Sequence, residues 1–477
     1  MGIDKDIIVA VELGSTAIRA VAGRRELDGT MHVLAVAQES DAYAIHRGAV
    51  DNIDRTTQAI QNVTRKLSDR LDMQVTKAYV GLGGQSLHTA LNPIVYPQTQ
   101  KSIITDAVIQ RIDDMNRAQQ YPNMEILQAV PQEYSIDNRN GVTTPVGMEA
   151  EIIKATFVNV LANSRRRDSI EQCVERAGLR LAEEDLLIAP LCLAQKLLTD
   201  SERRAGCALV DIGAETTTVS VYTKDTLRHM VVIPLGGNNA TADIVLSGAE
   251  TDEAENLKRK YGTAYCPDPK EGEESGDVML KLSYDRSISK LTLMGIVEAR
   301  YQEIIANVWE HIRPYCNNQF SSIIFTGGGS RMAELSTAFS KYTNTPKLVR
   351  VHKGVPSGIT FASDCGAVDK DSLGTLLSLL LCGKESCVME KSQTTSGELF
   401  PDEELDETPA GSGTEESVQQ TEAADAPVQQ EQDGKQTVVT EQKPRKKHGS
   451  LADKFRRAFG AFKGMLEEEG DEERGNE

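Results

Sequence analysis

Residues 208–222 read ALVDIGAETTTVSVY. A β-branched run delivers an acid, Asp211, to a tight turn at Gly213, and three hydroxyl residues, Thr216–Thr218, open a second run of alternating strand character. Such a hairpin aims backbone N–H groups and hydroxyls at phosphate oxygens, while the acid at the strand end can hold a hydrated Mg²⁺. One copy would be only a turn. The same order stands about 200 residues earlier in AVELGSTAIRAVAG (Ala10–Gly23), with Glu12 as the acid and Gly14, Ser15 and Thr16 in the turn. A third Gly-bearing turn, IIFTGGGSRMAEL (Ile323–Leu335), runs from a buried strand through Gly327, Gly328 and Gly329 towards a helix, which lets a flat base approach the backbone. Each is weak alone, but the ordered set is specific.

Outward from these turns, strands alternate with helical stretches: DIIVAVELG, IRAVAGRREL and MHVLAVAQ precede the helical DRTTQAIQNVTRKLSDRL and the strand KAYVGLGG. A similar order restarts at CALVDIG. This is α/β architecture with an internal duplication. Residues 84–162 interrupt it with strand-like HTALNPIVYP, helical ITDAVIQRIDDMNRAQ and further strands, which read as an inserted α+β module.

The chain has 477 residues and a formal net charge of −19, which argues against nucleic acid as a partner. Its eight Cys show neither CxxC nor His-spaced metal patterns and read as reduced structural thiols. The N-terminus lacks secretory-signal patterning, and the longest apolar run, Leu373–Cys382, is about half a bilayer span. From Glu390 to Gln442 there are 14 acids and two Lys with few large apolar residues, so residues 388–448 read as a disordered acidic linker. Beyond it the charge reverses: Lys443–Lys463 holds eight basic residues against one acid. At about 100° per residue, Leu451, Phe455, Phe459, Phe462, Met465 and Leu466 share one face of a helix over 449–466, with Lys454, Arg456, Arg457 and Lys463 elsewhere. That pattern suits an interfacial helix on an anionic membrane, with a self-packed helix and a calmodulin-type partner helix as the other readings. The acidic tail, 467–477, is expected to stay in water.

With these motifs in hand, the chain resembles the actin/Hsp70/sugar-kinase superfamily and, within it, the FtsA family of bacterial cell-division proteins. The resemblance covers residues 5–387 and includes VDIGAETTTVSVYTKDTLRHMVVIPLGGNNATADI, DEAENLKRKYG, IVEARYQEIIANVWEHI and FTGGGSRMAELSTAF. It implies an actin-like duplicated ribonuclease H-type core, with a first half over 1–83 completed by 163–196 and about 361–387. The module at 84–162 would be of SHS2 type, and the second half would span 197–360, its nucleotide-side subdomain at about 236–315. It further implies ATP and Mg²⁺ as cofactors, self-assembly into filaments, the FtsZ C-terminal tail and other division proteins as partners, and a peripheral place at the cytoplasmic face of the membrane at the division site. By position, Gly14, Ser15 and Thr16 match the first phosphate loop and Asp211, Gly213, Thr216 and Thr217 the second, with Glu12 and Asp211 facing the metal through water. Gly236 and Gly237 match the turn below the nucleotide, Glu255 and Lys258 the ribose and base contacts, and Gly327–Gly329 with Met332 the purine loop. Arg300 lies on the helix of the subdomain that receives the tail, where it would pair with an acid.

Two departures stand out: Glu12 where the superfamily usually has Asp, and Ala214–Glu215 where it has Gly. The extra methylene of Glu12 shifts the metal-facing carboxylate, and Ala214 and Glu215 crowd the phosphate approach, which favours binding over brisk hydrolysis. A small-molecule kinase of the same superfamily would need a carboxylate base beyond the two metal-side acids. A pilus-assembly actin-like protein normally lacks the acidic tether and basic helix, and a chaperone of the Hsp70 type needs a β-sandwich after the core. His46, His88, His229 and His352 lack ligand spacing and read as surface or core residues, Arg165–Arg167 as solvated, and Tyr301 and Trp309 as core.

Overall fold

The computed structural model describes residues 6–390 apart from 41–43, 138, 183–185, 268–276, 317–319, 346–348 and 367–368. The expected terminal helix and acidic tail, and the linker from 391 onward, lie outside the described residues.

Two sheets carry the α/β fold. In the first, Ile7–Leu13, Ile18–Arg25 and Met31–Glu39 form an antiparallel meander, and Lys77–Leu82 pairs parallel to Ile7–Leu13 after the helix Ile53–Leu71. That helix is capped by Asn52, whose side chain accepts from Arg55 N–H, and it buries Ile60, Val63 and Leu67 on one face, as the 3.6-residue period requires. In the second sheet Cys207–Ile212, Thr217–Thr223 and Thr226–Ile233 repeat the meander, and Ser322–Thr326 lies parallel to Cys207–Ile212. The duplication read from the sequence is therefore structural.

One boundary departs from expectation, and the insert joins the body in a way that spacing does not report. The folded body extends to residue 390, because Val388–Glu390 pairs antiparallel with Met73–Val75 and satisfies that strand's backbone groups. The first residues assigned to the linker are thus a strand. The inserted strands His88–Ile103, Met124–Ile136 and Glu149–Asn163 also do not form a separate sheet: through Val231↔His88 they continue the second sheet, although the chain enters them from the first. Side chains secure that join, with Gln132 Nε2 donating to Leu227 O at 2.9 Å and Arg228 Nη1 to Gln132 Oε1 at 2.8 Å. The insert keeps a core of its own, in which Ile112 of the helix Asp106–Arg117 meets Ile153, Ala155 and Phe157.

The apolar run near Leu373 forms the helix Gly374–Cys382, whose Leu376, Leu377, Leu379 and Leu380 are fully buried in the first core. Among the described residues no helix is long and apolar enough to cross a membrane.

Candidate functional site

Both acid–Gly hairpins point their turns into one cleft of about 940 Å³ between the halves. Gly14, Ser15 and Thr16 line it from the first half, with Glu12 at the strand end. Asp211, Gly213 and Thr216 line it from the second, and Gly237, Glu255, Lys258, Gly327, Gly328, Gly329 and Met332 complete that wall.

Two sequence assignments change, and a third residue has a partner within the chain. Thr217 does not line the cleft; it is fully buried on the opposite face of its strand, and its hydroxyl donates to Leu235 O at 2.8 Å. Strand alternation puts Thr216 and Thr218 on the cleft side. Gly236 is a packing glycine beneath the floor: a β-carbon there would stand 2.5 Å from Ala214 O, and its N–H donates to Asn239 Oδ1. Arg300 is already engaged within the subdomain: its guanidinium grips Asp243 through Nε at 2.7 Å and Nη2 at 2.9 Å and also meets Glu303. A fork this well matched to a carboxylate is satisfied within the subdomain.

The three glycines of the GGG turn have separate duties. Gly327, at φ +87°, and Gly329 abut Asp211 and Ile212 so closely that neither admits a β-carbon, whereas nothing stands within 4 Å of one on Gly328. Only Gly328 opens freely onto the cleft. Tyr301, buried in the long helix Lys290–Ile312, donates its hydroxyl to Gly329 O at 2.8 Å and so fixes the turn from behind. Helical spacing suggested a core residue, and only the fold shows what its hydroxyl holds.

Beside this turn, Lys258 is 7% exposed, yet its ammonium has three acceptors: Gly237 O at 3.0 Å, Thr241 Oγ1 at 2.8 Å and Glu255 Oε2 at 2.6 Å. The network fixes Glu255 against the cleft, and these bonds together hold its carboxyl below the usual range despite burial.

The two strand-end acids are the electrostatic centre. Burial, and then the Glu12 charge, pushes Asp211 up to about 7. Burial raises Glu12 as well, only partly offset by Arg19, whose Nη1 lies 3.7 Å from Oε2. That distance exceeds a hydrogen bond, and Glu12 Oε2 is a buried oxygen without a hydrogen-bond partner. The antiparallel register Glu12↔Arg19 brings this cation there, a pairing readable from the four-residue turn. Among the described residues no three His, Cys, Asp or Glu side chains gather to hold a metal. An unsatisfied oxygen and a paired acid suit a hydrated divalent cation that takes its remaining ligands from water and phosphate.

Among the remaining residues, Arg166 departs from its simplest reading, while His229 and Trp309 keep theirs. Arg166 is no solvated surface residue: its guanidinium donates to Gly83 O at 2.6 Å and Gly48 O at 3.4 Å. His229 stacks on His311 and Tyr315 at the join between insert and second sheet. Trp309 meets Phe339 edge-on in the second core.

Comparison with known proteins agrees with this architecture. Residues 208–366 match the family described as cell division protein FtsA, and residues 84–161 match the SHS2 domain inserted in FtsA. The chain is similar to the cell division protein FtsA of Pseudomonas aeruginosa, 28% identical over 402 residues that cover 83% of this chain and 94% of that protein. Its similarity to FtsA of Escherichia coli K12 is 26% identity over 393 residues, 80% of this chain and 91% of the relative. Among solved structures, the PilM–PilN type IV pilus biogenesis complex shares the fold with a TM-score of 0.54 at 15% identity, covering 78% of this chain and 96% of that one.

Proposed function

This chain carries the FtsA domain with the SHS2 domain inserted in it and is an actin-like cell-division protein of that kind; from that premise we propose that it binds Mg·ATP between its halves, polymerises, and tethers the FtsZ C-terminal tail to the cytoplasmic face of the membrane at the division site.

The observation that supports this reading best is the convergence of two acid–Gly turns and an open Gly328 on one cleft, together with the orphaned Glu12 oxygen. In it, Ser15 and Thr16 from one side and Thr216 from the other bind phosphate oxygens. Glu255 and the Lys258 network orient ribose and base, and Gly328 leaves space for the purine face. Glu12 and Asp211 would hold Mg²⁺ through its waters, and the cation, when bound, screens phosphate charge. A dication beside them would favour the carboxylate form of both acids.

The membrane part of the proposal rests on the sequence of 449–466: an apolar stripe of three Phe with Leu and Met beside clustered base gives reversible, peripheral anchoring. Polymerisation then multiplies weak anchors through effective concentration. The test is co-sedimentation with anionic liposomes, with and without ATP, for the full chain and for residues 1–390. The full chain should sediment with ATP-enhanced yield and the shorter one should not. Equal sedimentation of both would remove the tether, and no ATP response would remove the nucleotide-coupled polymer.

A further inference from the structure

Between the two phosphate-type turns stands a third element, the hairpin Ile45–His46/Ala49–Val50. Its tip residues Arg47 and Gly48 have φ of +48° and +72° and offer two successive amides. Each amide is taken by a side chain of a different turn. Gly48 N–H donates to Ser15 Oγ at 3.1 Å, and Arg47 N–H to Glu215 Oε2 at 2.5 Å, with His46 Nδ1 3.4 Å from the same oxygen.

The tip itself cannot retreat. Arg47 O accepts from Gln85 N–H at 2.9 Å, Arg166 holds the carbonyl oxygens of Gly48 and Gly83, and a β-carbon on Gly48 would stand 2.5 Å from Gly84 Cα. Glu215 is the mobile partner, on a flexible side chain that is 22% exposed.

We propose that Glu215 is a built-in occupant of the terminal-phosphate subsite and sets how the chain discriminates a nucleoside triphosphate from a diphosphate. The inference rests on the nucleotide reading above. A carboxylate and a terminal phosphate are both anionic acceptors for the Arg47 amide, so the two compete for it. The carboxylate also repels a terminal phosphate in a cleft that already holds Glu12 and Asp211. A diphosphate makes neither demand. Because Arg47 belongs to the first half and Glu215 to the second, yielding the amide also releases a bond across the cleft.

The test is calorimetric titration of the full chain with Mg·ATP and with Mg·ADP, for the wild type, Glu215→Gly and Glu215→Gln. The ratio of ATP to ADP affinity should rise by about tenfold in Glu215→Gly. It should rise less in Glu215→Gln, which loses the charge but keeps an acceptor. If Glu215→Gly does not fold, as judged by thermal unfolding, the Glu215→Gln ratio decides. Nucleotide binding with the same ratio in the folded variants overturns the inference alone. A wild type that binds neither nucleotide overturns the nucleotide reading, and the inference with it.

Discussion

Gly327 leaves no room beside Asp211: a β-carbon on it would overlap the Asp211 carboxylate and stand 2.5 Å from Ile212 O. The neighbouring Gly328 has open space in the same test. Gly327→Ala should therefore destabilise the second half by at least about 2 kcal/mol, through a left-handed φ and the overlap together. Gly328→Trp should leave the melting temperature within a few degrees and reduce ATP affinity by at least about a hundredfold. Thermal unfolding and calorimetry on both variants distinguish a packing glycine from a ligand-facing one. Unchanged ATP affinity in Gly328→Trp would take the base away from this turn.

Arg300 and Asp243 have side chains 16% and 15% exposed, so neither is left alone cheaply. Arg300→Ala should cost about 1–3 kcal/mol of stability, and Arg300→Ala with Asp243→Ala less. The measurement is thermal unfolding alongside binding of an FtsZ tail peptide. A binding defect in Arg300→Ala at unchanged stability would show that the guanidinium meets the tail directly.

His229 gives the join a pH dependence. Burial, followed by the charges of His311 and His88, lowers it from the ordinary 6.5 to about 4. Above 6.5 both folded and unfolded imidazoles are neutral and the folded state keeps its full stability. Between 6.5 and about 4 the unfolded chain takes up a proton that the folded one refuses, so stability falls across that window. His229→Asn should lose less melting temperature than the wild type between pH 7 and 5. Parallel curves would assign the acid sensitivity to other groups.

Steady-state ATP hydrolysis should run far below the enzyme median of about 10 s⁻¹. The second turn carries side chains at Ala214 and Glu215, and Glu215 is already bound to the opposing half. A rate near that median would return the kinase reading.

Phe459→Glu with Phe462→Glu places two charges in the apolar stripe of 449–466 and leaves the body untouched. This variant should fail to float with anionic liposomes at physiological salt, at a concentration where the wild type floats. Continued flotation would mean that another surface anchors the protein.

Residue order alone makes legible the features written locally: strand, acid and glycine turn, twice, then the GGG turn, and the position of the insert. Each follows from backbone geometry over a few residues, which spacing and residue type report directly. Even there a run of three Thr hid which of them face the cleft, because a homogeneous run carries no periodic contrast. Tertiary structure alone decided the pairings between distant segments. Arg300 is engaged by Asp243, 57 residues away; Glu215 bonds the amide of Arg47, 168 residues away; and the insert joins the second sheet through Val231↔His88. Periodicity fixes the face from which a side chain leaves its element. Which group it meets depends on how whole elements pack, and a charge looks equally available in sequence whether the fold satisfies it or leaves it open.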